Sequence, residues 1–176
     1  MKIISVFGSS APQPGQPDYV AACELGRLLA QAGFAVASGG YVGVMEAVSR
    51  GAAEVGGQVI GVTCDEIERW RTVGPNRWLS QEVRYPTLVE RLIHLVTRND
   101  GIVAMGGGVG TLTEVALAWN QLQVQVIRPR PLVLLGDIWH RTMATFADSP
   151  YVPEAHRALF QLAATPQEAV ALLMGS

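Results

Sequence analysis

Residues 101–114 read GIVAMGGGVGTLTE: an apolar run, a glycine-rich turn, and a stretch that begins with threonine and ends in glutamate. The apolar run predicts a buried strand over Gly101–Met105, and Gly106–Gly110 forms the turn that follows it. Thr111-Leu-Thr-Glu114 has the capping-box pattern, which predicts a helix from there to about Gln123. A strand, a glycine turn and a helix in this order are typical of an α/β protein with a parallel sheet.

The same unit recurs on both sides of this stretch. Four further strands are predicted at Lys2–Phe7, Phe34–Ala37, Gln58–Thr63 and Pro131–Leu135. Further helices are predicted from Asp18 to about Ala32, from about Val42 to Val55, and from Thr87, which opens a second capping box, to about Asn99. We therefore predict one Rossmann-like domain over residues 1–176, an α/β, doubly wound three-layer fold. Its mainly parallel sheet has the order 3-2-1-4-5, with strands counted along the chain and helices on both faces.

Two parts of the chain are less regular. Cys64–Pro86 is a long connection that contains Trp70 and Trp78. A loop of this length in a compact domain is often functional, and the two tryptophans fit a lid, a dimer contact or a small satellite core equally well. After Leu135 the pattern predicts two or three helices.

Composition excludes several classes of function. Hydrophobic residues make up 49% of the chain, charged residues 16%, and the net charge is −2, so we expect no nucleic-acid or membrane partner. Lys2 is the only lysine, which argues against Schiff-base chemistry and excludes a P-loop. Cys23 and Cys64 are too few and too distant for a disulfide framework or zinc site, so we expect no metal and no cofactor. No secretion signal is recognised, and a cytoplasmic protein is expected.

The carboxyl ends of the strands are where a ligand is expected. In a doubly wound sheet the ligand crevice lies where the strand order reverses, here between the first and fourth predicted strands. Gly8–Ser10, Ser38–Gly43 and Gly106–Gly110 would meet there, and their backbone amides favour a phosphate. The dinucleotide pattern G-x-G-x-x-G fails because Thr111 stands at its sixth position, so a nicotinamide or flavin dinucleotide is not expected.

Two charged residues have both a structural and a functional interpretation. Glu114 is the third residue after Thr111. In the structural interpretation its side chain accepts a hydrogen bond from a free amide at the helix start. In the functional interpretation its carboxylate faces the crevice. Arg91 shares a polar helix face with His94 and Arg98. This face is either exposed to solvent or presents Arg91 to a ligand. The spacing alone leaves both pairs of alternatives open.

Three segments together resemble a known family. Val6–Ser10, Ser38–Met45 and Gly106–Glu114, with their order and spacing, are similar to the LOG-type proteins, long mislabelled as lysine decarboxylases. That family includes cytokinin riboside 5′-monophosphate phosphoribohydrolases. The resemblance implies hydrolysis of the N-glycosidic bond of a nucleoside 5′-monophosphate, which releases free base and ribose 5-phosphate, and it implies a homodimer.

The resemblance also implies roles for residues. Glu114 and Arg91 match the family's catalytic residues. The positions matching the nucleotide and phosphate site are Ser10, Gly40, Gly107, Gly108, Gly110 and Thr111.

The sequence departs from the family pattern at three places. Leu92 stands where the family has lysine, Met105 where it has proline, and Glu46 where it has glycine. These departures keep an alternative open, namely a non-catalytic carrier of a phosphate-bearing ligand, such as a nucleotide or the molybdenum cofactor. The base that is preferred is not predicted by the sequence.

Overall fold

A central parallel sheet organises the protein, whose computed structural model describes residues 1–175. Within that range the sheet has seven strands in the order β4-β3-β2-β1-β5-β6-β7, and every neighbouring pair is parallel. The strands are β1 (Ile3–Phe7), β2 (Ala35–Ser38), β3 (Val59–Cys64), β4 (Gln81–Tyr85), β5 (Gly101–Ala104), β6 (Leu132–Leu135) and β7 (Gln161–Ala163).

Helices cover both faces of this sheet. They are α1 (Pro17–Gln31), α2 (Val44–Ala53), α3 (Asp65–Trp70), α4 (Leu88–Thr97), α5 (Val109–Gln123), α6 (Asp137–Phe146), α7 (Glu154–Arg157) and α8 (Pro166–Met174). Apolar residues of α1, α2 and α8 pack in one core, and those of α4, α5 and α6 pack in the other. Because successive strand residues point to opposite faces, Val103 lies in the first core and its neighbours Ile102 and Ala104 lie in the second. The predicted doubly wound three-layer α/β fold is confirmed.

The strand order differs in detail from the prediction. The five predicted strands occupy the middle of the sheet in the expected order, but β4 and β7 extend it at its two edges. β4 lies inside the predicted connection Cys64–Pro86 and has no fully buried residue, so it lacks the apolar run that marks an interior strand. β7 has three residues, and its only fully buried one is Ala163, so the region after Leu135 is not purely helical as predicted.

Helix starts were predicted with mixed success. The Thr87 capping box is confirmed, since the Thr87 hydroxyl accepts a hydrogen bond from the Glu90 N–H. Asp18 does not cap α1, which begins at Pro17 after an N-cap residue without a side-chain cap. The helix start predicted from the capping box at Thr111 is also wrong, because α5 begins two residues earlier, with Gly108 as its N-cap.

The crossing of α1 over α2 fixes the position of the second glycine turn. A side chain at Gly51 would place its Cβ 1.9 Å from the Cys23 carbonyl oxygen, and one at Gly26 would be 2.1 Å from the Val48 carbonyl oxygen. Backbones this close are possible only with glycine at both positions. The close crossing holds the N-terminus of α2 at the carboxyl ends of β1 and β2.

Candidate active site

The turns after β1, β2 and β5 meet at the point where the strand order reverses. The Ser9 N–H donates to the Gly106 carbonyl at 3.0 Å, and the Ser9 carbonyl accepts from the Val44 N–H at 2.9 Å. Gly43 has a φ of 72°, and a Cβ there would lie 2.4 Å from the Ser9 carbonyl oxygen. The crevice expected in a doubly wound sheet is therefore closed on one side by three turns bonded to one another.

The N-terminus of α5 presents bare backbone to this crevice. A Cβ at Gly107 would lie 2.1 Å from the Thr111 hydroxyl, so that glycine is required by local packing. Gly108 and Gly110 are different, since no atom lies within 4 Å of a Cβ built at either position and neither has a positive φ. The fold itself does not require glycine at these two positions, and Gly110 weakens the first turn of its helix. Bare amides at a helix start are what a phosphate binds.

Arg91 projects from the first turn of α4 into the inner side of the crevice. Its side chain is buried, with 6% of the residue exposed, and its Nε donates to the Val62 carbonyl at 2.7 Å. A Cβ on Gly39 would lie 1.9 Å from the Arg91 Nη2, so the guanidinium lies directly against the backbone of the second glycine turn. The Met45 sulfur, 3.9 Å from the same nitrogen, completes its surroundings. The interpretation of Arg91 as part of a solvated face is therefore wrong.

Glu114 lies in the second turn of α5 and is partly buried. Burial raises the pKa of its carboxyl to about 7, against an opposing effect of the Arg91 charge. Among residues 1–175 no side chain or amide hydrogen-bonds to this carboxyl, and no cation lies within ion-pair distance of it. The role of Glu114 as a capping partner is excluded, since its helix starts at Val109. Within the described part of the chain, the charge of buried Arg91 is thus the one interaction that favours the ionised form of Glu114.

Tyr41 connects Arg91 to the third strand and was not singled out from the sequence. Its hydroxyl accepts from the Cys64 N–H at 2.8 Å and donates to the Cys64 carbonyl at 3.1 Å. The centre of its ring lies 5.6 Å from the Arg91 guanidinium carbon, within the range of a cation–π contact. Asn76 holds the same turn from the outside, donating from its backbone to Gly40 and from its side chain to Tyr41.

The remaining residues expected at the site lie around the same turns. Gly40 has a φ of 78° and packs against Gly61 and Thr63 of β3. Ser10 lies at the crevice mouth, where its hydroxyl accepts a hydrogen bond from Arg71 at 2.8 Å. All the predicted site residues thus lie at the carboxyl ends of the strands, and Arg71 joins them from the connection after β3.

A cavity of about 760 Å³ opens on the other side of the third glycine turn. It is lined by Ser9, Gly106 and Gly107, and by residues at the starts of α1, α6 and α8. Neither Arg91 nor Glu114 lines this cavity. Within residues 1–175 no three His, Cys, Asp or Glu side chains are grouped closely enough to hold a metal ion. In the same range no helix has the length and apolar character needed to cross a bilayer.

These features define a class: a three-layer α/β protein with a parallel sheet and glycine turns that meet at its switch point. Beside these turns, α4 carries a buried arginine, and α5 carries a glutamate whose carboxyl has no hydrogen-bond or ion-pair partner within residues 1–175. The chain belongs to the SLOG cluster4 family, whose family model matches residues 1–148. The predicted resemblance to LOG-type proteins is thereby confirmed.

The individual relatives include both proteins named as enzymes and a protein named as a cofactor carrier. A protein of Oryza sativa subsp. japonica, named as a probable cytokinin riboside 5′-monophosphate phosphoribohydrolase, is 34% identical over 165 residues, 89% of this chain and 70% of that protein. The molybdenum cofactor carrier protein of Chlamydomonas reinhardtii has a similar structure, with a TM-score of 0.74, 28% identity and 99% of both chains covered. The X-ray structure of the structural-genomics target TM1055 matches with a TM-score of 0.78, 32% identity and full coverage of both chains.

Proposed function

We propose that the protein hydrolyses the N-glycosidic bond of a nucleoside 5′-monophosphate and releases free base and ribose 5-phosphate. One observation carries this proposal: the Glu114 carboxyl has no hydrogen-bond or ion-pair partner within residues 1–175, yet lies close enough to Arg91 for its pKa to respond. A buried acid with a strongly raised pKa beside a specific charge, in a cleft, is typical of a functional site. The similarity to the plant phosphoribohydrolase supports the reaction.

The chemistry assigns a role to each group. As the C1′–N bond breaks, its electron pair goes to the base and positive charge develops on the ribose. The ionised Glu114 carboxylate stabilises that charge. A water molecule then forms a bond from its oxygen to C1′, and the proton that it loses ends on the nitrogen of the departing base. Arg91 does not titrate near neutral pH, so it holds the substrate or the leaving base rather than giving up a proton. The amides at Gly107, Gly108, Gly110 and Thr111 bind the 5′-phosphate, and Ser10 and Gly40 line the nucleotide site.

The test is release of base by purified protein from a panel of nucleoside 5′-monophosphates, measured by chromatography. Wild type should release base, and the preferred nucleotide identifies the substrate. Glu114→Gln and Arg91→Ala should lose release by at least about a hundredfold while remaining folded. Full activity in either variant would remove the role assigned to that residue, and equal activity in all three preparations would indicate a contaminating hydrolase.

A second candidate function is binding without cleavage. The similarity to the molybdenum cofactor carrier of Chlamydomonas reinhardtii supports it. Leu92, which stands where the LOG pattern has lysine, packs against the second core and offers no charge to a substrate. Nucleotides that raise the melting temperature without losing their base would favour this carrier function over hydrolysis.

We also propose that the protein forms a homodimer through the outer surface of α4 and α5. Large apolar residues are exposed on both helices, among them Val89, Ile93, Val109 and Leu112. The two helices contact each other, and large exposed apolar patches often mark protein–protein interfaces. Light scattering coupled to size exclusion should give twice the chain mass of 18.8 kDa, and Val89→Glu should give the monomer mass. A monomeric wild type would refute the proposal.

A further inference from the structure

We propose that Arg71 is a specificity-determining residue that binds the phosphate of the ligand from across the crevice. It would make the site select a phosphomonoester over the corresponding nucleoside. This inference rests on the proposed function, because it assumes that the glycine turns bind a phosphate-bearing ligand. It assigns a role to the connection between β3 and β4, whose function the sequence did not predict.

The first argument is the position of the guanidinium. Arg71 follows α3, and its Nη1 donates to the Ser10 hydroxyl at 2.8 Å, which joins segments 61 residues apart in the chain. Ser10 is held close to the second glycine turn, since a Cβ on Gly43 would lie 2.6 Å from the Ser10 Cα. Its neighbour Ser9 is bonded to Gly106 at the third turn. The guanidinium therefore lies beside Ser10, where the first and second glycine turns meet.

The second argument is that the charge of Arg71 is not neutralised within the described chain. Among residues 1–175 no carboxylate lies within 4.0 Å of its nitrogens. The acidic residues of α3 are engaged elsewhere: Asp65 and Glu68 pair with Arg84, and Glu66 accepts from the Leu88 N–H.

This distribution of partners favours an external anion. Arg84 takes the nearby carboxylates, while Arg71 has a neutral hydroxyl as its only side-chain hydrogen-bond partner within residues 1–175. A guanidinium fork matches the oxygens of a phosphate and can form two parallel hydrogen bonds with it. Together with the bare amides at Gly108 and Gly110, it would contact a phosphate from two sides.

The third argument is that Arg71 is held in place before a ligand arrives. Its guanidinium carbon lies 4.3 Å from the centre of the Trp70 ring, which supports it by a cation–π contact. Trp70 itself is 73% exposed, so its ring does not serve a core. An arginine whose fork is already oriented loses less freedom when it binds. Of the three roles open to Trp70 in the sequence, a small satellite core is thereby excluded.

The experiment compares affinities for adenosine 5′-monophosphate and for adenosine by isothermal titration calorimetry. All variants carry Glu114→Gln so that the nucleotide stays intact during the measurement. Arg71→Gln should lower the affinity for the monophosphate by at least about tenfold and change the affinity for adenosine by no more than about twofold. Arg69→Gln is the matched control, because it removes the same charge two residues away. Within residues 1–175 the Arg69 side chain donates a hydrogen bond only to the Asp65 carbonyl. It should leave both affinities within about twofold.

Three results would overturn the role of Arg71: an unchanged monophosphate affinity, an equal loss for adenosine, or an equal loss in the Arg69→Gln control. If the wild-type protein releases base and Arg71→Gln binds the monophosphate normally, the role of Arg71 is refuted and the proposed hydrolysis is not. A wild-type protein that releases no base while Arg71→Gln loses selectivity would refute hydrolysis and leave the role of Arg71 supported. Binding of neither probe by the parent protein would overturn both.

Discussion

Replacing Glu114 by glutamine should stabilise the protein at alkaline pH while it removes activity. Burial raises the pKa of this carboxyl from its ordinary value of 4.5 to about 7, with no hydrogen bond from residues 1–175 to offset the desolvation. Above pH 7 the folded protein therefore holds a poorly solvated charge that the unfolded chain exposes to water. Glutamine has nearly the same shape and carries no charge, so it removes that cost.

The magnitude follows from the two pKa values. A difference between 4.5 and about 7 corresponds to about 3 kcal/mol at pH 8, an upper limit because the side chain is partly exposed. The sign follows from proton binding. Between pH 4.5 and 7 the folded state holds a proton that the unfolded state has released, so wild-type stability falls as pH rises across this window. At pH 5 less than about 1 kcal/mol of the cost remains.

The assay is thermal unfolding of wild type and Glu114→Gln at pH 8 and pH 5. In a chain of this length, about 3 kcal/mol corresponds to about 6–12 °C, so the variant should melt higher by up to that amount at pH 8 and by far less at pH 5. Glu154→Gln, which changes an exposed carboxylate at the start of α7, should not show this pH dependence. Equal melting temperatures at both pH values, or a variant less stable at pH 8, would refute a desolvated carboxyl.

The same pKa predicts how the rate depends on pH. If the ionised carboxylate stabilises charge on the ribose, kcat/KM, which reports groups of the free enzyme, should rise with pH and reach half its maximum near pH 7. A rate that falls across this range would contradict the role given to the carboxylate.

Three substitutions of glycine test the remaining geometry. Gly39→Ala should push the Arg91 guanidinium aside and lower base release by about a hundredfold, with little change in melting temperature; normal turnover would contradict the close contact. Gly110→Ala should raise the stability by about 0.5–1 kcal/mol, since alanine favours helix, yet weaken nucleotide binding at least about tenfold in calorimetry. Gly51→Ala should destabilise the fold by at least about 3 kcal/mol in urea titration, because its methyl would meet the Cys23 carbonyl oxygen; a mild effect would show that α1 and α2 can separate.

Much of the fold was predictable because its interior strands are continuous apolar runs between glycine turns. β4 and β7 were not, since an edge strand such as Gln81–Tyr85 buries little and carries no periodic signal. The start of α5 was misplaced for a related reason. The capping-box pattern at Thr111 is strong in sequence, but the glycines before it have the freedom to begin the helix earlier.

The site was predictable to the extent that its residues lie in the turns themselves. The topology alone predicts that the glycine turns meet at the carboxyl ends of the strands. The family resemblance then assigned Arg91 and Glu114 to the site. Tyr41 and Arg71 had no such signal, because their roles depend on contacts between segments far apart in the chain. The raised pKa of Glu114 could not be predicted from the sequence either, since it results from burial of the carboxyl in the folded chain. The cytoplasmic location stays a prediction.

The most direct test of the proposed function is a count of products. Wild type should convert its preferred nucleoside 5′-monophosphate into free base and ribose 5-phosphate in equal amounts, both quantified in one sample by mass spectrometry. Glu114→Gln, assayed beside it, should yield neither product. Inorganic phosphate and nucleoside as the first products would show that the phosphate ester is cleaved instead. Intact nucleotide bound to the protein would contradict hydrolysis and favour a carrier.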